Sequence, residues 1–260
     1  MGYNIKYYTD CQKGLIRAKN QDNFWCNGAI LVNEDLHKPI NGIVESKTSP
    51  AFAVFDGMGG EQRGEVAANI AAESFRNTYN KGFKNPKKFL LDVCTVMNKN
   101  ICIYAEEEKI KSAGTTAAVL LFAKKEIYVC NIGDTRVYQF SNNKLSQISH
   151  DHSEVSVFEN RPALTQNLGI PESEFVIAPY ISKGAYQKGD KYLLCSDGLT
   201  DMVSDTEIEK IIFENSDIAI ATDLLMNKAL EMGGYDNITI ILCEVQKKSL
   251  IKIMTGGLTK

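Results

Sequence analysis

Apolar residues recur at three- and four-residue steps in several stretches of the chain, which is the spacing of an amphipathic helix. The strongest pattern places Leu90, Val93 and Met97 on one stripe, and Pro86 suits the first turn of that helix. The pattern predicts four helices in two pairs, at residues 64–79, 87–108, 205–214 and 217–231.

Short apolar runs with turn residues between them predict β-strands. Three such runs follow the second helix, at residues 115–122, 126–132 and 136–140. The breaks between them are short, and short breaks favour antiparallel hairpins. A last strand is predicted at 238–245, and the runs AFAVF and KYLLC, which precede Asp56 and Asp197, have the composition of buried strands.

Paired helices together with antiparallel strands favour an α+β fold, in which layered sheets are covered by helices, over a doubly wound parallel sheet. The chain has 260 residues, which is enough to bury a sizeable core. Its 44% of hydrophobic and 23% of charged residues are ordinary for a globular protein.

Charge and hydropathy argue against several classes of function. A net charge of −3 gives no basic surface for nucleic acid. The longest apolar run, Ala117–Ala123, is too short to span a bilayer, and the N-terminus lacks the apolar core of a secretory signal. Lys6 stands where a myristoylation pattern needs serine or threonine. We therefore expect neither a nucleic-acid partner nor a membrane partner.

The cysteines indicate a reducing compartment. The chain has seven of them and no CxxC pair, and an odd number cannot all be paired. Several lie inside apolar runs, where a reduced cysteine behaves as a small hydrophobic residue. We expect a cytoplasmic protein without disulfides.

Three aspartates lie beside glycines at the ends of predicted strands: Asp56 in VFDGMGG, Asp197 in CSDGL and Asp236 in GGYDN. A carboxylate at a strand end, next to a glycine that frees the backbone, suits a hard divalent cation. Oxygen ligands favour Mg²⁺, Mn²⁺ or Ca²⁺, and no Cys/His cluster indicates zinc. The set of motifs points to a metal-dependent hydrolase.

Each of these residues also has a purely structural interpretation. Strand-end aspartates most often cap helices or form turns, and a single arginine such as Arg17 most often forms a surface ion pair. The segment Gly114-Thr115-Thr116 is interpreted as close packing at the start of a strand, and His150 and His152 as part of a loop rather than as metal ligands. The combination of motifs, not any one of them, favours a metal site.

The motifs RxxNxD, DGMGG, GTT, GDTR, SDGL and GGxDN occur in an order that resembles the metal-dependent protein phosphatases, the PPM or type 2C serine/threonine family. The resemblance runs from about Gly14 to Val245. It implies a four-layer α-β-β-α sandwich of two antiparallel sheets flanked by helix pairs, with the metals at one end. Residues 1–245 would form the catalytic domain, and residues 246–260, which carry no motif, a short tail that is a candidate for disorder.

The resemblance also implies a centre of two divalent cations, Mn²⁺ or Mg²⁺. Asp56 would bridge both ions, Asp197 and Asp236 would bind the first, and the backbone carbonyl of Gly57 would bind the second. A weaker third ion would be held by Asp134 and Asp197.

Three residues carry the implied catalytic roles. Arg17 would grip the substrate phosphate with its planar, permanently charged guanidinium. Asp22 would orient a metal-bound water, and Asp56 would hold the attacking water between the metals. Asn20 and Asn237 are expected to hold the backbone next to the site.

Two positions and one segment depart from the family pattern. Gln21 stands where the family usually has an acidic residue. If Gln21 faces the cleft, Gln21→Glu should strengthen binding of the second metal. Met58 stands where animal enzymes carry a histidine. Methionine cannot donate a proton, so a metal-bound water is the expected acid. The flap between Ser153 and Leu164 is short for the family.

The expected function is hydrolysis of phosphoserine and phosphothreonine in proteins that a serine/threonine kinase has phosphorylated, by a cytoplasmic monomer. Two alternatives remain. One is a hydrolase of small phosphorylated metabolites, since the metal chemistry would be the same. The other is a catalytically silent sensing or binding relative, against which the intact aspartates and Arg17 argue.

Overall fold

The computed structural model describes residues 2–32, 38–58, 63–111, 113–154 and 163–248. Its helices are α1 (Gly64–Tyr79), α2 (Pro86–Glu107), α3 (Asp197–Thr200), α4 (Asp205–Glu214) and α5 (Ile218–Glu231). Its strands are β1 (Tyr3–Gln12), β2 (Asp22–Cys26), β3 (Ile40–Glu45), β4 (Ala51–Met58), β5 (Gly114–Thr115), β6 (Ala117–Ala123), β7 (Glu126–Ile132), β8 (Arg136–Ser141), β9 (Lys144–Gln147), β10 (Ser153–Glu154), β11 (Ala163–Leu164), β12 (Tyr180–Ala185), β13 (Lys191–Cys195) and β14 (Ile238–Lys247).

Two antiparallel sheets form the centre of the molecule. One has the order β3-β1-β14-β13-β8-β9, and the other has the order β12-β7-β6-β4-β2, with β5 paired to the end of β4. The short strands β10 and β11 pair only with each other among the described residues. The strand order alternates elements from distant parts of the chain, so both sheets bring remote motifs to neighbouring positions.

Three apolar clusters separate four layers. The first joins α1 and α2 to the second sheet, the second lies between the two sheets, and the third joins the first sheet to α4 and α5. Helices thus cover both outer faces of the sandwich. The α+β class and the four-layer arrangement expected from the sequence are confirmed.

Strand β6 shows how this layering follows from the sequence. All seven of its residues are buried, so it lacks the alternation of a strand with one wet face. Successive side chains of a strand point to opposite faces. Val119 and Leu121 accordingly pack toward the helices, whereas Ala118, Leu120 and Phe122 pack toward the other sheet.

The predicted helices agree with the structure to within one residue at each end. Asn85 caps α2, its side chain accepting a hydrogen bond from the Lys88 amide, and Pro86 is the first helical residue. The strand predicted at 115–122 is divided into β5 and β6. The last strand continues to Lys247, and the tail residues 249–260 lie outside the described part of the chain.

One predicted hairpin is wrong. Strands β7 and β8 follow each other closely but belong to different sheets. Gly133, at φ +95°, lies at the corner between them, and a Cβ there would meet the Thr116 Cγ2 atom at 2.5 Å. This short connection therefore passes from one sheet to the other. The spacing of strands along the sequence does not distinguish such a connection from a hairpin turn.

Within the described residues, no helix has both the length and the apolar character needed to cross a membrane.

Candidate metal centre

The centre is built at the end of the sandwich where β2 begins and β4 ends. Asp22 and Asp56 are direct register partners on these two strands. The backbone of Asp56 is held on both sides: its carbonyl accepts hydrogen bonds from the Thr116 amide and the Thr115 hydroxyl, both at 2.8 Å, and its amide donates to Thr116 Oγ1 at 3.1 Å. The GTT segment thus fixes Asp56, in keeping with its interpretation as a packing element.

Asp22 is buried, and its two carboxylate oxygens have different surroundings. Oδ2 accepts hydrogen bonds from Ser196 Oγ and Thr239 Oγ1, both at 2.7 Å. Oδ1 is buried and has no hydrogen-bond partner among the described residues. Burial, opposed by these two hydroxyls and assisted by repulsion from Asp236, raises the pKa of Asp22 to about 7.

Asp197 and Asp236 lie next to strands of the first sheet and close to Asp22 and Asp56 of the second sheet. Asp197 is the first residue of α3, directly beyond β13, and Asp236 lies shortly before β14. Burial, followed by repulsion from Asp134 and Asp236, raises the pKa of Asp197 to about 7. Burial, followed by repulsion from four aspartates, raises the pKa of Asp56 well above its usual range; the four are Asp22, Asp197, Asp134 and Asp236.

Asp134 lies in the turn that crosses between the sheets. Burial raises its pKa, and repulsion from Asp151 and Asp201 contributes. The hydroxyls of Thr135 and Thr116 are hydrogen bonded, which ties this turn to the segment that holds Asp56. The structure therefore brings Asp134 within electrostatic range of both Asp56 and Asp197.

Gly57 has no room for a side chain. A Cβ at this position would lie 2.2 Å from the Gly64 carbonyl oxygen and 2.4 Å from that of Gln21. The Gly57 amide donates to the Gln21 carbonyl at 3.1 Å. The close approach of three backbone segments explains why glycine follows Asp56.

Arg17 reaches the same centre from the loop between β1 and β2. Its Nη2 donates to Asp236 Oδ2 at 2.5 Å, and its side chain is 45% exposed. The hydrogen bond to Asp236, together with the fields of Asp197 and Asp56, raises the pKa of Arg17. A guanidinium thus stands at the solvent side of the carboxylates.

Asn237 and Asn20 hold backbone around the centre. The Asn237 side chain donates to the carbonyls of Lys13 and Lys19 and accepts from the Gln21 amide, all within 2.9 Å. Asn20 Oδ1 accepts from the Asp22 amide at 3.1 Å. These bonds fix the loop that carries Arg17.

Gln21 directly precedes β2, and its side chain lies against the first turn of α1. Its Nε2 is 3.4 Å from Glu65 Oε2, and a Cβ on Gly64 would meet this nitrogen at 2.8 Å. Glu65 also pairs with Lys19 at 2.9 Å. The expectation for Gln21→Glu assumes a side chain facing the cleft. The described contacts of its amide are with the first turn of α1, whose Gly64 also lies against the Gly57 carbonyl.

Sequence reasoning missed Ser196, Thr239 and Glu65. Ser196 lies inside the CSDGL motif, so the motif contained a signal for it. Thr239 has no local signal, because only the pairing of β14 with its neighbours brings it to Asp22. His152 Nδ1 accepts from the Gly133 amide at 3.3 Å, which gives that histidine a structural contact. Most of the predicted flap, residues 155–162, lies outside the described residues.

A cavity of about 710 Å³ lies beside Met58, two residues after Asp56 in the chain, and was also missed. Its walls come from the last turns of α2, from Gly114 and from the loop at Asn167 and Pro171. These segments are far apart in the sequence, so no local pattern marks the cavity.

The donor set fits hard divalent cations. Among the described residues, no three acidic, histidine or cysteine side chains converge tightly enough to form a finished cage for an ion. The chemistry of the donors still favours such ions. The available donors are oxygens, burial and then mutual repulsion raise the pKa values of Asp56 and Asp197, and Asp22 Oδ1 is buried without a partner among the described residues.

Proteins of similar sequence and similar structure are serine/threonine phosphatases. The serine/threonine phosphatase stp of Listeria welshimeri is 32% identical, over 93% of this chain and 95% of its own length. The serine/threonine phosphatase PstP of Mycobacterium tuberculosis has a similar structure, with a TM-score of 0.78 and 25% identity over 94% of this chain and 100% of that one.

A structure of the PstP catalytic domain in complex with two manganese ions has a TM-score of 0.77 at 26% identity, over 94% of this chain and 100% of that one. The family described as Protein phosphatase 2C matches residues 30–232. That match covers well over half of the chain, and the chain therefore belongs to the protein phosphatase 2C family.

Proposed function

We propose that this enzyme, a metal-dependent serine/threonine protein phosphatase, hydrolyses its phosphoprotein substrates at the aspartate centre described above. The single observation that carries the proposal is the burial of Asp22, Asp56 and Asp197 together, at a cost to their ionisation, beside the guanidinium of Arg17. A fold retains such mutually repelling groups where a cation is to be bound.

Asp56, Asp197, Asp236 and the carbonyl of Gly57 would hold two divalent cations, which when bound supply water activation and neutralise charge on the phosphoryl oxygens. Arg17 binds the phosphoryl group from the solvent side, where its half-exposed side chain can reach a substrate.

Asp22 orients the attacking water. Ser196 and Thr239 occupy Oδ2, so Oδ1 is the oxygen free to accept a hydrogen from water. The two hydroxyls thereby select which face of the carboxylate acts. No covalent enzyme intermediate is needed, because water attacks directly and the serine or threonine hydroxyl of the substrate leaves.

The finer assignments belong to the same proposal. We assign Mn²⁺ or Mg²⁺ as the cations and a weaker third ion to Asp134 and Asp197. The substrates would be proteins phosphorylated by a serine/threonine kinase, and the enzyme a monomer. A cytoplasmic location is supported by the cysteines: all seven are described and free. Neither a nucleic-acid partner nor a membrane partner is proposed.

Metal removal tests the mechanism. Enzyme dialysed against EDTA should lose activity toward a phosphothreonine peptide and regain it with Mn²⁺ or Mg²⁺, because the proposed ligands are hard oxygens. Full activity in excess EDTA would exclude the two-cation mechanism.

The same assay separates the alternatives. With metal restored, the phosphothreonine peptide should be hydrolysed more efficiently than a panel of sugar and nucleotide phosphates. The reverse order would favour a metabolite hydrolase, and inactivity on every substrate would favour a silent binding protein.

A further inference from the structure

Four large apolar side chains are exposed on two loops beside Arg17. Their exposed fractions are 65% for Leu15, 65% for Ile16, 52% for Met232 and 54% for Tyr235. Single exposed apolar residues are common on protein surfaces, whereas a group of them next to polar groups marks an interaction site. We refer to these four residues as the apolar rim.

The two loops of the apolar rim are tied together by backbone contacts. Leu15 donates its amide hydrogen to the Gly234 carbonyl at 2.8 Å. Gly14, at φ +77°, lies so close to the second loop that a Cβ there would meet the Asp236 carbonyl oxygen at 2.2 Å. The rim is therefore a fixed surface, and binding to it costs little ordering of the protein.

The apolar rim is continuous with the candidate metal centre. Ile16 directly precedes Arg17, and Tyr235 directly precedes Asp236. Arg17 and Asp236 are joined by the hydrogen bond between their side chains. The apolar rim thus lies on the two loops that carry Arg17 and Asp236.

We propose that the apolar rim binds apolar side chains that flank the phosphorylated residue of the protein substrate. This inference rests on the proposed function, in which Arg17 holds the phosphoryl group. With the phosphoryl group there, the residues one to three positions away lie within about 11 Å along an extended chain. Their apolar side chains can leave water against Ile16 and Tyr235, which raises the affinity of the substrate.

Two phosphothreonine peptides test the proposal, one with leucine and one with serine at the positions that flank phosphothreonine. The wild-type enzyme should prefer the leucine peptide in kcat/KM by at least about fivefold, since burying part of one or two apolar side chains has an effect of that order. Ile16→Ser and Tyr235→Ser should each reduce this preference to less than about half of the wild-type ratio.

Matched controls come from exposed apolar residues outside the apolar rim. Ile43 on β3 is 62% exposed and Phe213 on α4 is 58% exposed. Ile43→Ser and Phe213→Ser should keep the wild-type ratio between the two peptides. The ratio of kcat/KM between the two peptides is not affected by a general loss of activity. The thermal midpoint of each variant shows whether it folds.

The outcomes distinguish this inference from the proposed function. Equal hydrolysis of the two peptides by the wild type, or an unchanged preference in Ile16→Ser and Tyr235→Ser, would overturn the apolar rim and leave the phosphatase mechanism intact. Hydrolysis of neither peptide with metal present would overturn both. A wild-type dimer that either variant converts to a monomer in sedimentation velocity would assign the rim to self-association instead.

Discussion

At the scale of single residues, the hydrogen bonds of Asp22 decide what its carboxylate can do. Ser196 and Thr239 both donate to Oδ2, which leaves Oδ1 without a partner in a buried setting. Hydroxyl donors to a buried carboxylate favour its charged form and lower its pKa, opposing the effect of burial. The side chain is thus kept in place and partly protected from neutralisation.

Replacing Thr239 with valine should remove one of these donors while keeping the side-chain shape. A hydrogen bond to a charged group contributes about 1.5–3 kcal/mol, so kcat/KM should fall at least about tenfold. The control is Thr222→Val in α5, where a buried hydroxyl donates to the Ile218 carbonyl. That variant should lose some stability and keep its kcat/KM. Steady-state kinetics on a phosphopeptide tests this prediction. Equal losses of kcat/KM in Thr239→Val and Thr222→Val would contradict a role for Thr239 at the centre.

At the scale of elements, the junction between β2 and α1 gives Gln21 a different environment from the one expected from its motif. Its amide lies over Gly64 and faces Glu65, whose other oxygen pairs with Lys19. An amide fits here because it can donate to the carboxylate, whereas a second carboxylate would be repelled.

Gln21→Glu should therefore destabilise the junction rather than tighten the metal. The free energy of unfolding should fall by about 0.5 kcal/mol, the size of a like-charge pair at a helix surface. The Mn²⁺ concentration for half-maximal activity should not decrease. In the double variant Gln21→Glu/Glu65→Gln, the amide at position 65 donates to the carboxylate at position 21. This variant should recover the free energy of unfolding that Gln21→Glu loses. Thermal unfolding measures the stability, and a titration with Mn²⁺ measures the concentration for half-maximal activity. A lower Mn²⁺ requirement in Gln21→Glu would support a side chain that faces the cleft.

At the scale of the whole molecule, the centre costs the metal-free fold stability. Burial, followed by repulsion from neighbouring aspartates, raises the pKa of Asp56 well above its usual range and that of Asp197 to about 7. Groups that repel one another in the folded state separate on unfolding. Cations that bind only the folded state offset this cost.

Asp197→Asn should consequently make the metal-free protein more stable and less responsive to metal. We expect its thermal midpoint in EDTA to rise by at least about 2 °C, which corresponds to about 1 kcal/mol for a domain of this size. The rise in thermal midpoint that Mn²⁺ produces should be smaller in Asp197→Asn than in the wild type. Calorimetry with and without Mn²⁺ tests this, and a lower midpoint in EDTA would show that Asp197 contributes to the metal-free fold.

Local pattern and motif order were enough to predict the four long helices, the α+β class and the family, whereas the single turn α3 was not predicted. Helical spacing is a local property, and Asn85 with Pro86 marks the start of α2 in the sequence itself. The strand-end aspartates next to glycine were also visible, because a buried strand and a tight backbone both leave a local signature, as Gly57 shows.

Only the tertiary structure decided which residues meet. The corner at Gly133 resembles a hairpin turn in the sequence but joins strands of different sheets, and Thr116 packs so closely against it that only glycine fits. Thr239 and Gln21 acquire their partners from strands and a helix far away in the chain. Side-chain direction depends on sheet pairing and layer packing, which short-range pattern does not contain, so the contact of Thr239 with Asp22 and that of Gln21 with Glu65 followed from the fold alone.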